Sequence, residues 1–107
     1  MTSRELENLA SIGQLKRTAS NDTEIDALVR SGEARLKDAG NASLALESRF
    51  DLAYNAAHAL ALAALRRHGY RSENRYVVFQ TLPHTLRVTT SVWRLLGNAR
   101  FEVYRRC

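Results

Sequence analysis

The chain has 107 residues, enough for one domain with a real core (residues 1–107) and too few for two. Its composition, 45% hydrophobic and 25% charged with five Gly and one Pro, excludes a disordered or fibrous chain, and the weight of Ala and Leu points to helices. The net charge of +5 is unevenly placed: residues 1–48 hold six Lys/Arg against eight Asp/Glu, whereas residues 71–107 hold seven, all arginine, against two.

The first predicted helix runs from about Arg4 to Ala19, with Thr2 and Glu5 at capping-box spacing and Leu6, Leu9, Ile12 and Leu15 at helical intervals. The acidic start, MTSRELENLA, does not read as a signal peptide. A second helix is expected from about Asp22 to Ala39. Asn21 caps it, Ile25, Leu28, Val29 and Leu36 form its buried side, and Gly40-Asn41 ends it. The third is expected from about Leu44 to His68, capped by Ser43 and stopped by Gly69, with Arg66, Arg67 and His68 suiting the dipole of its last turn. At 1.5 Å per residue it would span about 37 Å, the natural centre of a bundle. Ser72 opens a fourth helix through Tyr76, Val77, Phe79 and Gln80, which Pro83 should end or bend. LRVTTSV, 86–92, fits a strand or a loop equally well. Thr89 or Thr90 then caps a last helix through Trp93, Leu96, Phe101 and Tyr104. Five helical segments joined by short connections predict an all-α, up-and-down bundle of four to five helices.

Within the third helix, Glu47, Asp51, Asn55 and His58 share an arc of about 80° on an otherwise apolar cylinder, with Tyr54 at its border. Buried polar groups must be paired. The stripe therefore faces water, faces arginines of another helix, or lines a groove. The apolar run from Leu52 to Leu65 falls short of the roughly 20 residues a membrane span needs, so no membrane association is expected.

Several chemistries lack their residues. The chain has no Glu-x-x-His pair for a di-iron site, no HExxH, no P-loop and no GxGxxG. No metal or cofactor is expected. His58, His68 and His84 could meet only through folding. The single cysteine, Cys107, allows neither an intrachain disulfide nor a CxxC metal site, which favours a reducing, cytoplasmic setting. The arginines of the last third offer planar forks suited to phosphate and point to RNA or a nucleotide, with a solvated basic face as the alternative. Arg66, Arg67, Arg71 and Arg75 around Gly69 form one possible phosphate cluster.

RFDLAYNAAHALALAALRRHGYRSENRYVVFQTLPHTL, residues 49–86, resembles the central part of bacterial HEPN-domain proteins (higher eukaryote and prokaryote nucleotide-binding). The resembling elements are Arg49-x-Asp51-x-x-Tyr54-x-Ala56, the long Ala/Leu helix, the Gly69-Tyr70-Arg71 break and Phe79-Gln80-x-Leu82. The resemblance implies a helical bundle, a homodimer, and a group holding both RNase toxins and catalytically dead RNA- or nucleotide-binding relatives. Several of those pair with a small nucleotidyltransferase partner in toxin–antitoxin fashion. Active members carry Arg-x4–6-His at the start of the last helix. Here no histidine follows Arg94 or Arg100; Arg100 and Tyr104, four apart, resemble a related Arg…Tyr ending.

Metal-independent RNA cleavage needs a base near neutrality and a cation for the phosphate. Tyrosine, with a pKa near 10, is a poor base. The expectation is therefore a non-catalytic module binding RNA or a nucleotide through Asp51, Tyr54, Asn55, Arg94, Arg100 and Tyr104, with Asp51 paired to an arginine of the last helix or of a dimer mate. The alternatives are an RNase using Arg100, Tyr104 and His58, and a helical dimerisation module without a nucleic-acid ligand. A helix-turn-helix around Thr85–Arg100 is weaker, since its turn lacks glycine.

Overall fold

The structure, a computed structural model, describes residues 4–85. Its elements are α1 (Arg4–Ser11), β1 (Lys16–Arg17), α2 (Asp22–Ala39), α3 (Leu46–Arg67), β2 (Tyr70–Arg71), α4 (Arg75–Gln80) and α5 (Leu82–Thr85). The fold is an all-α helical bundle carrying one short antiparallel ladder.

The first helix is shorter than its apolar spacing predicts. Gly13, at φ +82°, takes the left-handed turn that ends it, and the Gly13 and Gln14 amides donate back to Ala10 and Leu9 at 3.1 and 2.9 Å. The chain then runs extended instead of helical. Lys16 pairs with Arg71 and Arg17 with Tyr70, a strand pairing the composition did not suggest. Leu15 still reaches the core from this segment.

Helices α2 and α3 form an antiparallel hairpin. Asn21 Oδ1 accepts from the Glu24 amide at 3.1 Å, starting α2 as expected. Arg49 Nε donates to the Ala39 carbonyl at 2.8 Å at the neck of the hairpin, and Arg66 meets Glu24 at 2.6 Å at its open end. Between these ties the helices close on Gly32, where a Cβ would stand 2.8 Å from Leu60 Cγ. The 22 residues of α3 make a rod of about 33 Å. It starts at Leu46 because Ser43 does not cap it. Asn41 Oδ1 takes both the Ser43 amide and its hydroxyl, at 3.0 and 2.7 Å, and holds Ser43 in the turn. Gly69, at φ +88°, ends α3 where expected.

The core lies toward the open end of the hairpin. Leu6, Ala10 and Leu15 pack there with Ala61 and Leu65 of α3, Tyr70, Val77–Phe79 of α4 and Leu82. Leu36, expected on the buried side of α2, is 56% exposed, and Leu44 and Leu46 are exposed beside it at the neck. Asn74, not Ser72, caps α4: its Oδ1 accepts from the Val77 amide at 3.3 Å, while Ser72 Oγ accepts from the Asn74 amide at 3.1 Å. The break foreseen at Pro83 falls two residues earlier. Proline has no N–H for the Phe79 carbonyl and its ring crowds that turn, so α4 ends at Gln80 and α5 restarts at Leu82 with Pro83 in its first turn. Among the described residues no helix is long and apolar enough to cross a membrane. The segment 86–92 and the last predicted helix lie outside the described residues.

Candidate functional site

The polar stripe of α3 changes character along its length. Glu47 is exposed, and Asp51, Asn55 and His58 are half-buried. Asn55 is held at both ends: its Nδ2 donates to the Asp51 carbonyl at 2.8 Å, and its Oδ1 accepts from Arg75 Nη1 at 2.5 Å. The Arg75 guanidinium stands 5.7 Å from the centre of the Tyr54 ring, a cation–π distance. Tyr54 stacks on Phe50 at 6.3 Å and meets Phe79 edge-on at 5.4 Å, and His58 meets Phe79 edge-on at 6.0 Å. An arginine does reach the stripe, but α4 supplies it. Arg94, Arg100 and Tyr104, and with them the expected pairing of Asp51 with the last helix, lie outside the described residues.

His58 Nε2 is sealed from solvent and has no hydrogen-bond partner among the described residues. Burial, and after it the charge of Arg75, push the imidazole pKa below its ordinary range, so the ring is neutral at pH 7. His58, Leu62 and Arg75 are shared by two adjoining clefts. The first, of about 190 Å³, is completed by Leu28, Ser31 and Arg35 of α2 and by Asn55 and Ala59 of α3. Leu28, Ala59 and Leu62 form its apolar lining, Arg35 and Arg75 bring two guanidinium groups to it, and among the described residues no carboxylate lines it. Arg35 donates to Ser31 Oγ, one turn back on its own helix. The second cleft, of about 350 Å³, is completed by Arg71, Ser72 and Glu73. A third, of about 290 Å³, lies between the Gly13 turn and residues 71–74, and a fourth lines Leu9, Ile12 and His84. Neither brings the stripe residues together.

The arginines around Gly69 divide by role. Arg66 is 2% exposed, and each of its three side-chain nitrogens donates a hydrogen bond. Its Nε donates to Glu24 Oε1 at 2.6 Å, and its Nη atoms donate to the carbonyls of Thr18, Ala19 and Tyr70 at 3.1, 2.7 and 3.4 Å. It is a tie between α2, α3 and the ladder, where the sequence suggested a dipole partner or a phosphate ligand. Arg71 shares the same carboxylate through Glu24 Oε2. The hydrogen bond from Arg66, foremost, holds Glu24 below the usual carboxylate range. Arg67 and His68 are exposed at the end of α3. A smaller tie joins Tyr70 and Arg17 to Glu7, which these hydrogen bonds, Arg17 first, also hold low. Among the described residues no group of three or more His, Cys, Asp or Glu is placed to hold a metal ion.

Asn55 and His58 line the first cleft together with Arg75, which also stands over Tyr54, whereas Asp51 and Tyr54 line none of these clefts. Arg35, Ser31 and Glu73 went unread as site residues. Arg35 and Ser31 lie on α2 and Glu73 in the turn before α4, and the clefts form only when α2 and α4 flank α3. Arg35 and Ser31 have a local signal, an i, i+4 polar pair on α2, but that spacing is common on any solvated face. Comparison with family models, with curated proteins and with solved structures returns no match to this chain.

Proposed function

We propose that this protein binds RNA or a nucleotide by its phosphate, without cleaving it, in the cleft shared by Arg35, Asn55, His58 and Arg75. The observation that carries the reading is the pairing of two guanidinium groups from separate helices on one cleft that no acid lines among the described residues. Arginine binds phosphate through paired N–H donors, and each of these two keeps donors beyond those it gives to Ser31 or Asn55. Ser31 and Asn55 add polar atoms at the rim, and Leu28, Ala59 and Leu62 give an apolar floor. The neutral His58 adds no repelling or competing charge. Its sealed Nε2 and its packing on Phe79 suit a wall of the cleft better than a proton shuttle. The resemblance of residues 49–86 to HEPN-domain proteins supports the same ligand class. The missing Arg-x4–6-His motif supports binding over cleavage. A homodimer and a nucleotidyltransferase-type partner belong to this proposal through the resemblance alone.

The test is anisotropy of a labelled 12-nucleotide single-stranded RNA with the full chain and with the double variant Arg35→Ala/Arg75→Ala. Both side chains are exposed, so the fold should survive. Loss of two charge-assisted contacts should weaken binding at least tenfold, with the RNA recovered at full length. Absence of binding by the unaltered chain, or equal binding by the double variant, overturns the reading.

A further inference from the structure

The second cleft differs from the first in one chemical respect, its acid. Glu73 sits in the turn between Arg71 and Arg75, is exposed, and forms an ion pair with neither. Arg71 already gives a donor to Glu24, the carboxylate that Arg66 also holds, so its charge is only partly offset. With Glu73 in its lining, the second cleft is less positive than the first and suits an anion less well. What it offers is a carboxylate acceptor, the Ser72 hydroxyl and the edge of Arg75. A carboxylate with open lone pairs suits neighbouring hydroxyl groups, as acidic residues that hold a ribose do. The two clefts share His58, Leu62 and Arg75 and so adjoin directly. In a 5′-phosphorylated nucleoside one methylene separates phosphate from sugar, so a phosphate in the first cleft delivers the sugar to the second.

We propose that Glu73 is a specificity-determining residue that accepts hydrogen bonds from the 2′,3′-diol of a 5′-phosphorylated ribonucleoside whose phosphate lies between Arg35 and Arg75. The inference rests on the phosphate cleft proposed above and adds the sugar to it. The ligand chemistry is a free diol beside a 5′-phosphate. A mononucleotide and the 3′-terminal residue of an RNA both carry it; an internal RNA residue and a deoxynucleotide do not.

Calorimetric titration of the full chain with adenosine 5′-monophosphate and with its 2′-deoxy counterpart tests it, alongside Glu73→Gln. The unaltered chain should bind the ribonucleotide about tenfold more tightly than the deoxynucleotide. Glu73→Gln should abolish that preference while keeping or raising affinity for the deoxynucleotide, because a charge that repels phosphate is gone. A 12-nucleotide RNA with a free 3′ end, compared with the same RNA 3′-phosphorylated, separates the two sources. Tighter binding of the free end assigns the site to RNA termini; equal binding of the two RNAs with a retained mononucleotide preference assigns it to the mononucleotide. Equal affinity for ribo- and deoxynucleotide, or a preference that survives Glu73→Gln, overturns the inference and leaves the phosphate cleft standing. Failure of every nucleotide and RNA to bind removes both.

Discussion

His58 is the residue on which the candidate site turns. Desolvation and the neighbouring guanidinium of Arg75 both disfavour its charged form, and Arg35 and Arg71 line the clefts on either side. Among the described residues that line the two clefts, Glu73, from the turn before α4, is the one acid. The folded pKa lies below the unfolded value of about 6.5. The unfolded chain therefore takes up the proton first as pH falls. Stability should be level above pH 7 and decline once pH drops below about 6.5, down to the folded pKa. Thermal midpoints recorded from pH 7.5 to 5.5 should show that decline, and His58→Gln should flatten it. A bound phosphate reverses the local field, so the imidazole resonances should titrate at higher pH when the cleft is filled. Resonances that do not move with saturating phosphate ligand would count against the ring facing the ligand. At this scale the sequence shows half the picture. The spacing of Asp51, Asn55 and His58 puts them on one face, but nothing in it reveals that Arg75 lies against Asn55, since that contact depends on how the Gly69 turn folds α4 back.

The α2–α3 hairpin is the element that sets the width of the first cleft, because Arg35 sits on one helix and Asn55 and His58 on the other. Gly32 determines how closely the two approach. Gly32→Ala gains about 1 kcal/mol of helix propensity but drives a methyl group into Leu60 and toward the Ala56 carbonyl, 3.3 Å away. Overpacking of this kind costs about 1–3 kcal/mol. A net loss of about 1 kcal/mol is expected in urea unfolding, and Leu60→Ala should mask it. Arg66→Met removes a buried cation from Glu24 and strands three carbonyls, which should cost about 3 kcal/mol. Glu24, held low, contributes its stabilisation above the ordinary carboxylate pKa and loses it as pH falls through the depressed value, so the Glu24→Gln chain should be less sensitive to acid. Helix ends marked by short-range chemistry, Asn21, Gly40 and Gly69, are legible in the sequence. Gly13 carries the same signal as Gly69, and the apolar spacing that continues past it obscured it. The tie of Arg66 to Glu24 spans 42 positions and has no local signature.

At the scale of the whole molecule, charge alone cannot say where an anion binds. By count the positive charge gathers in residues 71–107, which directs attention to Arg94 and Arg100. In the folded chain, Arg35 comes from the acidic half of the sequence and joins Arg75 at a cleft that no acid lines among the described residues, while Arg66 and Arg71 are drawn toward Glu24. The all-α class followed from composition and helical spacing, because those average over many residues. The site depends on a few long-range juxtapositions, and an average hides them. Salt dependence distinguishes the two placements. For single-stranded RNA the logarithm of the binding constant falls with the logarithm of salt by about 0.7 per phosphate contact. If Arg35 and Arg75 hold one phosphate between them, Arg35→Ala/Arg75→Ala should make the slope shallower by about 0.7, and Arg94→Ala/Arg100→Ala should leave it unchanged. Anisotropy titrations between 50 and 200 mM salt, each variant against the same RNA, measure both slopes. The reverse result would place the phosphate on the arginines of the last third and remove the cleft between α2 and α4 from the binding surface.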